Sequence, residues 1–345
     1  MSWKTYVDSP MTVDIDGDGL QDMIVPYGLI GNNAEVYIHI FTGKNLFTLT
    51  PVNQITYIPT NASMLPIYSS ADFDNDGRSD LLLLEQAGQN NNYHCRIYQG
   101  NPNVNNMLNY DTSLSLSSAP KKLISGDFNT DGMADLLVIC ESGYKIFWNR
   151  GGGLSNNTFS SSDCTSGTNL ADNIIIRNGD FNGDGITDFL TNATQSTDWY
   201  FYFGRGDGTF TKKLACQRDI YDQTGSFDDN QFTCLVYDMD GDGKSDVYMS
   251  KAMYHPLGFF LQVKSYWMLS NGLSLIEKKA STSQNAENAS PGNYMLGSFS
   301  GDGQPELAHY GYDCYNGTNA NVSSTLRKFP NNNCAPGNGK VKTIT

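Results

Sequence analysis

The chain has 345 residues, with 22 Lys and Arg against 36 Asp and Glu, which gives a formal net charge of −14 at pH 7. This acidic balance argues against a nucleic-acid partner, because phosphate backbones are bound by clustered basic side chains. No apolar run approaches the roughly 20 residues of a membrane-spanning helix, so we expect no membrane insertion. The first residues, MSWKTYVDSP, lack a basic-then-apolar secretory signal. The seven cysteines form no CxxC pair, which argues against a zinc or thioredoxin-like site.

One acidic pattern recurs six times along the chain, at intervals of 53 to 60 residues. The six copies begin at Asp14, Asp72, Asp127, Asp180, Asp238 and Ser298. A repeat of about 57 residues accounts for nearly the whole sequence. We therefore expect a single domain over residues 1–345 that is built of six repeats, with no separate catalytic domain.

Alternating apolar and polar residues predict strands on either side of each acidic segment. Runs such as AEVYIHIF and DWYFYFG favour strands with one buried face. Segments rich in Gly and Asn, such as GNPNVNN, predict the turns between them. Three to four short strands in each repeat favour an all-β fold of the β-propeller type over a sandwich or a solenoid.

The acidic segment itself, D-x-[D/N]-x-D-G-x-x-D, is typical of a loop that holds a cation; we number its positions 1 to 9. Positions 1, 3, 5 and 9 present side-chain oxygens, position 7 offers a backbone carbonyl, and Gly at position 6 allows the positive φ of a sharp turn. Carboxylates that face one point repel each other unless a cation lies between them. Hard oxygen donors favour Ca²⁺, with Mg²⁺ as the weaker alternative. A metal-free turn would also use Asp, Asn and Gly, but five loops with one spacing favour metal.

Five loops, numbered 1 to 5 in chain order, carry the complete pattern and hold half of the chain's acidic residues. The predicted side-chain ligands are Asp14, Asp16, Asp18, Asp22, Asp72, Asp74, Asp76, Asp80, Asp127, Asn129, Asp131, Asp135, Asp180, Asn182, Asp184, Asp188, Asp238, Asp240, Asp242 and Asp246. The predicted carbonyl ligands are Leu20, Arg78, Met133, Ile186 and Lys244. Loop 6, Ser298–Glu306, keeps only two carboxylates and contains Pro305, so we expect it to bind metal weakly or not at all.

These acidic cores, together with the downstream element FGRGDGTF from Phe203, resemble the FG-GAP/VCBS repeat family, which includes the propellers of integrin α subunits. The resemblance covers essentially the whole chain, although the FG element is blurred elsewhere, as in FWNRGGGLSNNTF. It implies a propeller with calcium in loops between neighbouring strands of each blade. Six motifs favour six blades, and seven stay open if one blade lacks the loop. We expect the N-terminal SWKTYV strand to pair with C-terminal strands, so that no edge is exposed.

A narrower resemblance concerns larger bacterial proteins. Rhs/YD-repeat proteins and the B components of Tc toxins carry similar propellers, and the ending GNGKVKTIT resembles the approach to their shells. This resemblance implies that the chain is a module of a larger parent protein. It also implies export, with an extracellular or cell-surface location.

Three functions remain open on the sequence. The leading hypothesis is a non-enzymatic binding or adhesion module for a glycan or an extracellular protein, since the chain has no GxSxG, HExxH or P-loop motif. The first alternative is a structural gate or assembly module of a toxin-like or Rhs-like shell. The second is a propeller glycosidase or lyase, because a fold does not decide a function. The tripeptide Arg205-Gly206-Asp207 is interpreted as a turn variant rather than an integrin-recognition site.

Overall fold

The computed structural model describes residues 4–7, 11–30, 35–44, 51–57, 66–87, 92–160, 162–167, 173–193, 196–218, 232–254, 260–284, 294–299, 306–315, 319–328 and 342–344. Strands dominate these residues. The described part contains no α-helix, and a short 3₁₀ turn lies at Val104–Asn106.

Residues 1–172 and 206–208 form one compact unit with three successive antiparallel sheets. The first sheet contains β1 (Lys4–Val7), β2 (Met11–Val13), β3 (Asp22–Ile30), β4 (Glu35–Phe41) and β5 (Asn53–Tyr57). The second contains β6 (Ile67–Ala71), β7 (Asp80–Gln86), β8 (Asn92–Tyr98) and β9 (Asn109–Ser115). The third contains β10 (Pro120–Gly126), β11 (Asp135–Cys140), β12 (Gly143–Phe147) and β13 (Cys164–Gly167).

Residues 173–205 and 209–345 form a second compact unit, again with three sheets. The fourth sheet contains β14 (Asn173–Gly179), β15 (Asp188–Ala193), β16 (Asp198–Gly204) and β17 (Phe210–Gln217). The fifth contains β18 (Phe232–Tyr237), β19 (Asp246–Tyr254), β20 (Phe260–Ser270) and β21 (Leu275–Gln284). The sixth contains β22 (Tyr294–Gly297), β23 (Glu306–Tyr315), β24 (Asn319–Lys328) and β25 (Lys342–Ile344).

Each sheet from the second to the sixth is a four-stranded meander whose strands pair in chain order, which is the construction of a propeller blade. The fold is all-β and of the β-propeller class, as predicted. The described residues form six sheets, one for each acidic loop, and contain no seventh. That residues 1–345 make up one domain stays a prediction.

The first sheet departs from the expected pairing. In the described part of the chain, Lys4–Val7 pairs with the far half of β3 and with none of the C-terminal strands β22 to β25, so the expected pairing is not found there. The nine-residue β3 is long enough to pair with β2 along Asp22–Ile24 and with β1 along Tyr27–Ile30. The N-terminal strand therefore finds its backbone partners within its own repeat.

The loops are held to the sheets by apolar residues at position 2, which are buried in loops 1 to 4 and half-buried in loop 5. Phe73 packs edge-to-face on Phe159 of the third repeat, with ring centroids 5.6 Å apart, in a core cluster that spans the second and third sheets. Phe181 packs on Phe201 at 4.9 Å in the corresponding cluster of the fourth and fifth sheets. Because position 2 points into the core, the oxygen-bearing residues on either side of it are left to form the loop.

Candidate metal-binding loops

Each complete loop connects the first strand of a repeat to the next strand, and its carboxylates organise its own backbone. Position 1 accepts a hydrogen bond through Oδ2 from the backbone N–H of the position-6 glycine, at 2.8–3.0 Å in all five loops. Position 5 accepts one through Oδ1 from the N–H of position 7, at 2.8–2.9 Å. These bonds turn the carboxylates of positions 1 and 5 towards the inside of the loop.

Two positions in each loop adopt positive φ. The position-6 glycines have φ between 81° and 88°, as the sequence predicted. Position 4 also has positive φ, between 60° and 79°, although it is not always glycine. The residues at position 4 are Gly17, Asn75, Thr130, Gly183 and Gly241. The sequence pattern did not predict this second left-handed position, because two of its five residues, Asn75 and Thr130, are not glycine.

The position-9 aspartate is the first residue of the strand after the loop, and in all five loops it is completely buried. Its Oδ2 accepts a hydrogen bond from the N–H of position 2 at 2.8–3.0 Å. Its Oδ1 accepts one from a residue at the end of the following strand, at 2.6–2.9 Å. Burial raises the pKa of each of these carboxyls to about 7, against the opposing effect of the two amide donors.

The second donor to position 9 explains the FG element. Gly204 of Phe203-Gly204 donates its backbone N–H to Asp188, and the equivalent residues are Gly43, Gly100, Asn149 and Ser270. Any residue except proline can supply a backbone N–H, so the element is blurred in sequence but constant in structure.

Where the glycine is replaced, the new side chain joins successive repeats. Asn149 donates through Nδ2 to the carbonyl of Phe73 in loop 2, at 2.7 Å. Ser270 donates through Oγ to the carbonyl of Phe181 in loop 4, at 2.6 Å. The loop of one repeat is thereby bound to the sheet of the next.

The structure brings the carboxylates of three loops into clusters. In the described residues three groups of three carboxylates place one oxygen each within 4.8 Å of the others. The groups are Asp14, Asp16 and Asp18, then Asp72, Asp74 and Asp80, then Asp238, Asp240 and Asp246. In loops 3 and 4 the position-3 residues Asn129 and Asn182 use their amide oxygens to accept the position-5 N–H, at 3.0 and 2.9 Å.

The donor set fits a hard divalent cation. The Oδ1 atom of Asp74 is buried and receives no hydrogen bond from the described residues. A buried carboxylate oxygen without a donor is unfavourable unless a cation satisfies it. The carbonyl ligands at position 7 stay a prediction; the structure shows the N–H groups of these residues on position 5.

Loop 6 falls largely outside the described residues, because residues 300–305 are not among them. Its position-9 residue, Glu306, begins β23 and is completely buried, like the aspartates of the other loops. The weak or absent metal binding of this loop stays a prediction.

The Arg205-Gly206-Asp207 tripeptide lies in the turn between β16 and β17. Arg205 and Asp207 are exposed, and Gly206 has a φ of 73°. The backbone N–H of Arg205 donates to the carbonyl of Thr209 at 3.1 Å, which closes the turn. None of the described segments is a helix of the length and hydropathy that a bilayer crossing requires.

Comparisons with known proteins agree with this repeat structure. The FG-GAP-like repeat profile matches residues 14–83, 127–191 and 180–249, together more than half of the chain. A search of curated protein sequences found no significant match. Among solved structures, the Tc holotoxin pore of Photorhabdus luminescens aligns over 93% of this chain and 14% of its own, with 13% identity and a TM-score of 0.48.

Two further structures align over 99% of this chain. The V. cholerae biofilm matrix protein Bap1 has 16% identity and a TM-score of 0.37, and the exotype rhamnogalacturonan lyase YesX has 13% and 0.44. The alignments span 53% and 65% of those chains, so this chain covers less than two thirds of each of the three structures. At these identities and TM-scores, no statement about this chain rests on the three alignments. With the repeat profile matched over most of its length and the same loop built five times, the chain belongs to the FG-GAP repeat family.

Proposed function

We propose that loops 1 to 5 bind Ca²⁺ and that the chain is a calcium-stabilised, non-enzymatic binding module of an exported bacterial surface protein. Its ligand would be a glycan or an extracellular protein. The observation that carries the calcium proposal is the convergence of three carboxylate oxygens within 4.8 Å in each of three loops. Repulsion among such groups is relieved by a cation.

Calcium suits these loops better than a softer metal because every proposed donor is an oxygen atom. The donors also lie on a short, sharply turning loop rather than in a rigid cage, which calcium tolerates. When bound, the ion supplies positive charge that neutralises the carboxylates. The ligands would be positions 1, 3, 5 and 9 and the carbonyl of position 7.

A non-enzymatic role is supported by how the loop carboxylates are used. The position-9 aspartates accept two backbone hydrogen bonds each and are completely buried, so they anchor the strand that follows. The position-1 aspartates are likewise committed to backbone amides of their own loop. Groups held in this way are structural supports rather than acids or bases that meet a substrate.

The calcium proposal is tested by thermal unfolding of the purified chain in calcium, in magnesium and in chelator. At a hundredfold excess over the Kd, each bound ion adds about 2.7 kcal/mol to the free energy of unfolding. We therefore expect chelation to lower the Tm by well over ten degrees, and magnesium to restore only part of it. An unchanged Tm in chelator would overturn the proposal.

The binding role is tested on a glycan and matrix-protein array, with calcium and then with chelator. Selective, calcium-dependent binding would support the proposal and identify the ligand class. A blank array from folded, calcium-loaded protein would overturn it in favour of an assembly module in a larger shell. Turnover of any polysaccharide in the same panel would overturn the non-enzymatic assignment.

A further inference from the structure

The five loops differ in the number of carboxylates among their side-chain ligands. Loops 1, 2 and 5 carry four, because position 3 is Asp16, Asp74 or Asp240. Loops 3 and 4 carry three, because position 3 is Asn129 or Asn182. If nothing else changed, the first group would hold one more negative charge than the second.

Each four-carboxylate loop has a basic side chain on the free oxygen of position 5. Lys44 Nζ lies 2.8 Å from Asp18 Oδ2 in loop 1, and Lys244 Nζ lies 2.6 Å from Asp242 Oδ2 in loop 5. In loop 2 the guanidinium of Arg78 pairs with Asp76. The three cations come from two different places: Arg78 and Lys244 occupy position 7, whereas Lys44 follows β4, the second strand after loop 1.

The three-carboxylate loops use a neutral donor at the same oxygen. Asn129 donates through Nδ2 to Asp131 Oδ2 at 3.0 Å, and Asn182 to Asp184 Oδ2 at 2.8 Å. Position 7 is apolar in both loops. Arg150, which follows its strand as Lys44 does, forms two hydrogen bonds of 2.6 and 2.7 Å with Asp163 instead.

With the contacting basic side chain counted, every one of the five loops therefore has the same formal charge of −3, from four carboxylates and one cation or from three carboxylates alone. We propose that Lys44, Arg78 and Lys244 are tethered cations that offset the fourth carboxylate, level the calcium affinities of the five loops and hold loops 1, 2 and 5 together when the ion is absent. This inference rests on the proposed function, because it concerns the affinity of the same loops for calcium.

The direction of the effect follows from charge. A fixed positive group a few ångströms from the ion repels it, so removal of that group tightens binding, and calcium affinity in such loops depends on the charge of the ligand set. Removal also leaves the four carboxylates of the metal-free loop, three of which converge, without an offsetting charge, which weakens the loop. Salt screens exposed charges more, so the effect of Lys44, whose side chain is 67% exposed, falls most at high salt.

Two of the tethered cations also lie against the preceding loop. A Cβ atom at Gly17 in loop 1 would come within 2.7 Å of Arg78 Cγ, and one at Gly183 in loop 4 would come within 3.3 Å of Lys244 Cγ. The stem of each side chain thus fills the space beside the glycine at position 4. A substitution that tests the charge should therefore keep the length of the stem, as methionine does.

The test compares Lys244→Met with the double variant Lys244→Met/Asp240→Asn, with the exposed Lys121→Met as a matched control. Calcium is titrated calorimetrically, and the Tm is measured in chelator. In the single variant we expect one site to tighten about tenfold and the chelated Tm to fall. The double variant, which restores a formal charge of −3, should return both values towards the wild type. The control should leave both unchanged.

The proposal is overturned if Lys244→Met behaves like Lys121→Met, or if the double variant is no closer to the wild type than the single one. The two readouts separate this inference from the proposed function. If no protein in the series takes up calcium, the proposed function fails. The chelated Tm then still decides whether the cation offsets the fourth carboxylate, because that measurement contains no metal.

Discussion

Loops 2 and 3 follow each other in the chain and have similar backbone conformations, but they differ in four side chains, of which that at position 8, Ser79 or Ala134, is the smallest change. Position 3 is Asp74 or Asn129, position 4 is Asn75 or Thr130, and position 7 is Arg78 or Met133. The amide donors to Oδ2 of position 1, to Oδ1 of position 5 and to Oδ2 of position 9 are nevertheless the same, with distances that agree within about 0.1 Å. The comparison shows that positions 1, 6 and 9 define the shape of the loop, while positions 3 and 7 adjust its charge.

The residues that donate to position 9 from the second and third sheets also share a backbone role but differ in their side chains. Gly100 and Asn149 donate the same backbone hydrogen bond to position 9 of their loops. At Gly100 no side chain fits, since a Cβ would lie 2.5 Å from the carbonyl oxygen of Ser79. At Asn149 the side chain has room and binds the preceding loop. The two residues thus donate the same backbone hydrogen bond, although one site excludes a side chain and the other uses it.

The largest effect should come from pH, because it acts on the position-9 carboxyls of both kinds of loop together. Their pKa is raised from 3.8 to about 7 by burial, so protonation stabilises the metal-free fold below the unfolded pKa, and this stability is lost as the pH rises through 7. In chelator, the urea midpoint should therefore be higher at pH 5.5 than at pH 8.

Saturating calcium should reverse this pH dependence, since the ion stabilises the ionised form and competes with protons. The gain in Tm on adding calcium should accordingly be larger at pH 8 than at pH 5.5. An equal gain at both pH values would show that the buried carboxyls do not take part in binding.

The next effect should come from truncation of one position-9 residue. Asp135→Ala in loop 3 removes the acceptor of two buried N–H groups, those of Phe128 and Asn149. At about 1–3 kcal/mol for each unsatisfied group, the free energy of unfolding should fall by about 4 kcal/mol, as measured by urea denaturation. Asp135→Asn, which keeps one acceptor oxygen, should lose about half as much. Equal losses in the two variants would contradict the double-acceptor role.

The repeat, the strands and the loop ligands could be predicted from the sequence because each is a local pattern. The second donor to position 9 could not be predicted, since Gly43 lies 21 residues after Asp22 and acts through a backbone N–H that every residue except proline carries. The basic side chains that contact position 5 could not be predicted either. Lys44 follows β4, two strands after Asp18 in the chain, and Arg78 was predicted only as a carbonyl ligand. The visible signal was the alternation of Asp and Asn at position 3, which becomes informative once the basic side chains are placed.

A smaller effect should distinguish the two glycine-equivalent sites. Gly100→Ala places a methyl group against the carbonyl oxygens of Ser79 and Ile15, at 2.5 and 2.9 Å, and should destabilise the fold by about 2 kcal/mol. Asn149→Ala keeps the backbone donor but removes the side-chain bonds to the carbonyls of Phe73 and Ala134 and from the N–H of Gly151. Only the first of these bonds is fully buried, so the variant should lose about 1 kcal/mol. Urea denaturation of both variants in calcium measures the difference, and a greater loss at Asn149 would reverse the interpretation.

The smallest effect concerns position 4. Thr130 holds a φ of 64°, a strained value for a β-branched residue, whereas Gly241 of loop 5 has the same conformation without strain. Thr130→Gly should therefore stabilise loop 3 by about 1 kcal/mol, after the greater unfolded-state entropy of glycine and the loss of the Thr130 hydroxyl bond to the carbonyl of Asn129 are allowed for. The reverse change, Gly241→Thr, should destabilise loop 5 by a similar amount. A Cβ at Gly241 would meet nothing within 4 Å, so only the backbone is affected. Opposite shifts in Tm for the two variants would support a left-handed position 4 in both loops, whichever residue occupies it. Shifts of the same sign would contradict this and would show that the two loops differ in backbone as well as in charge.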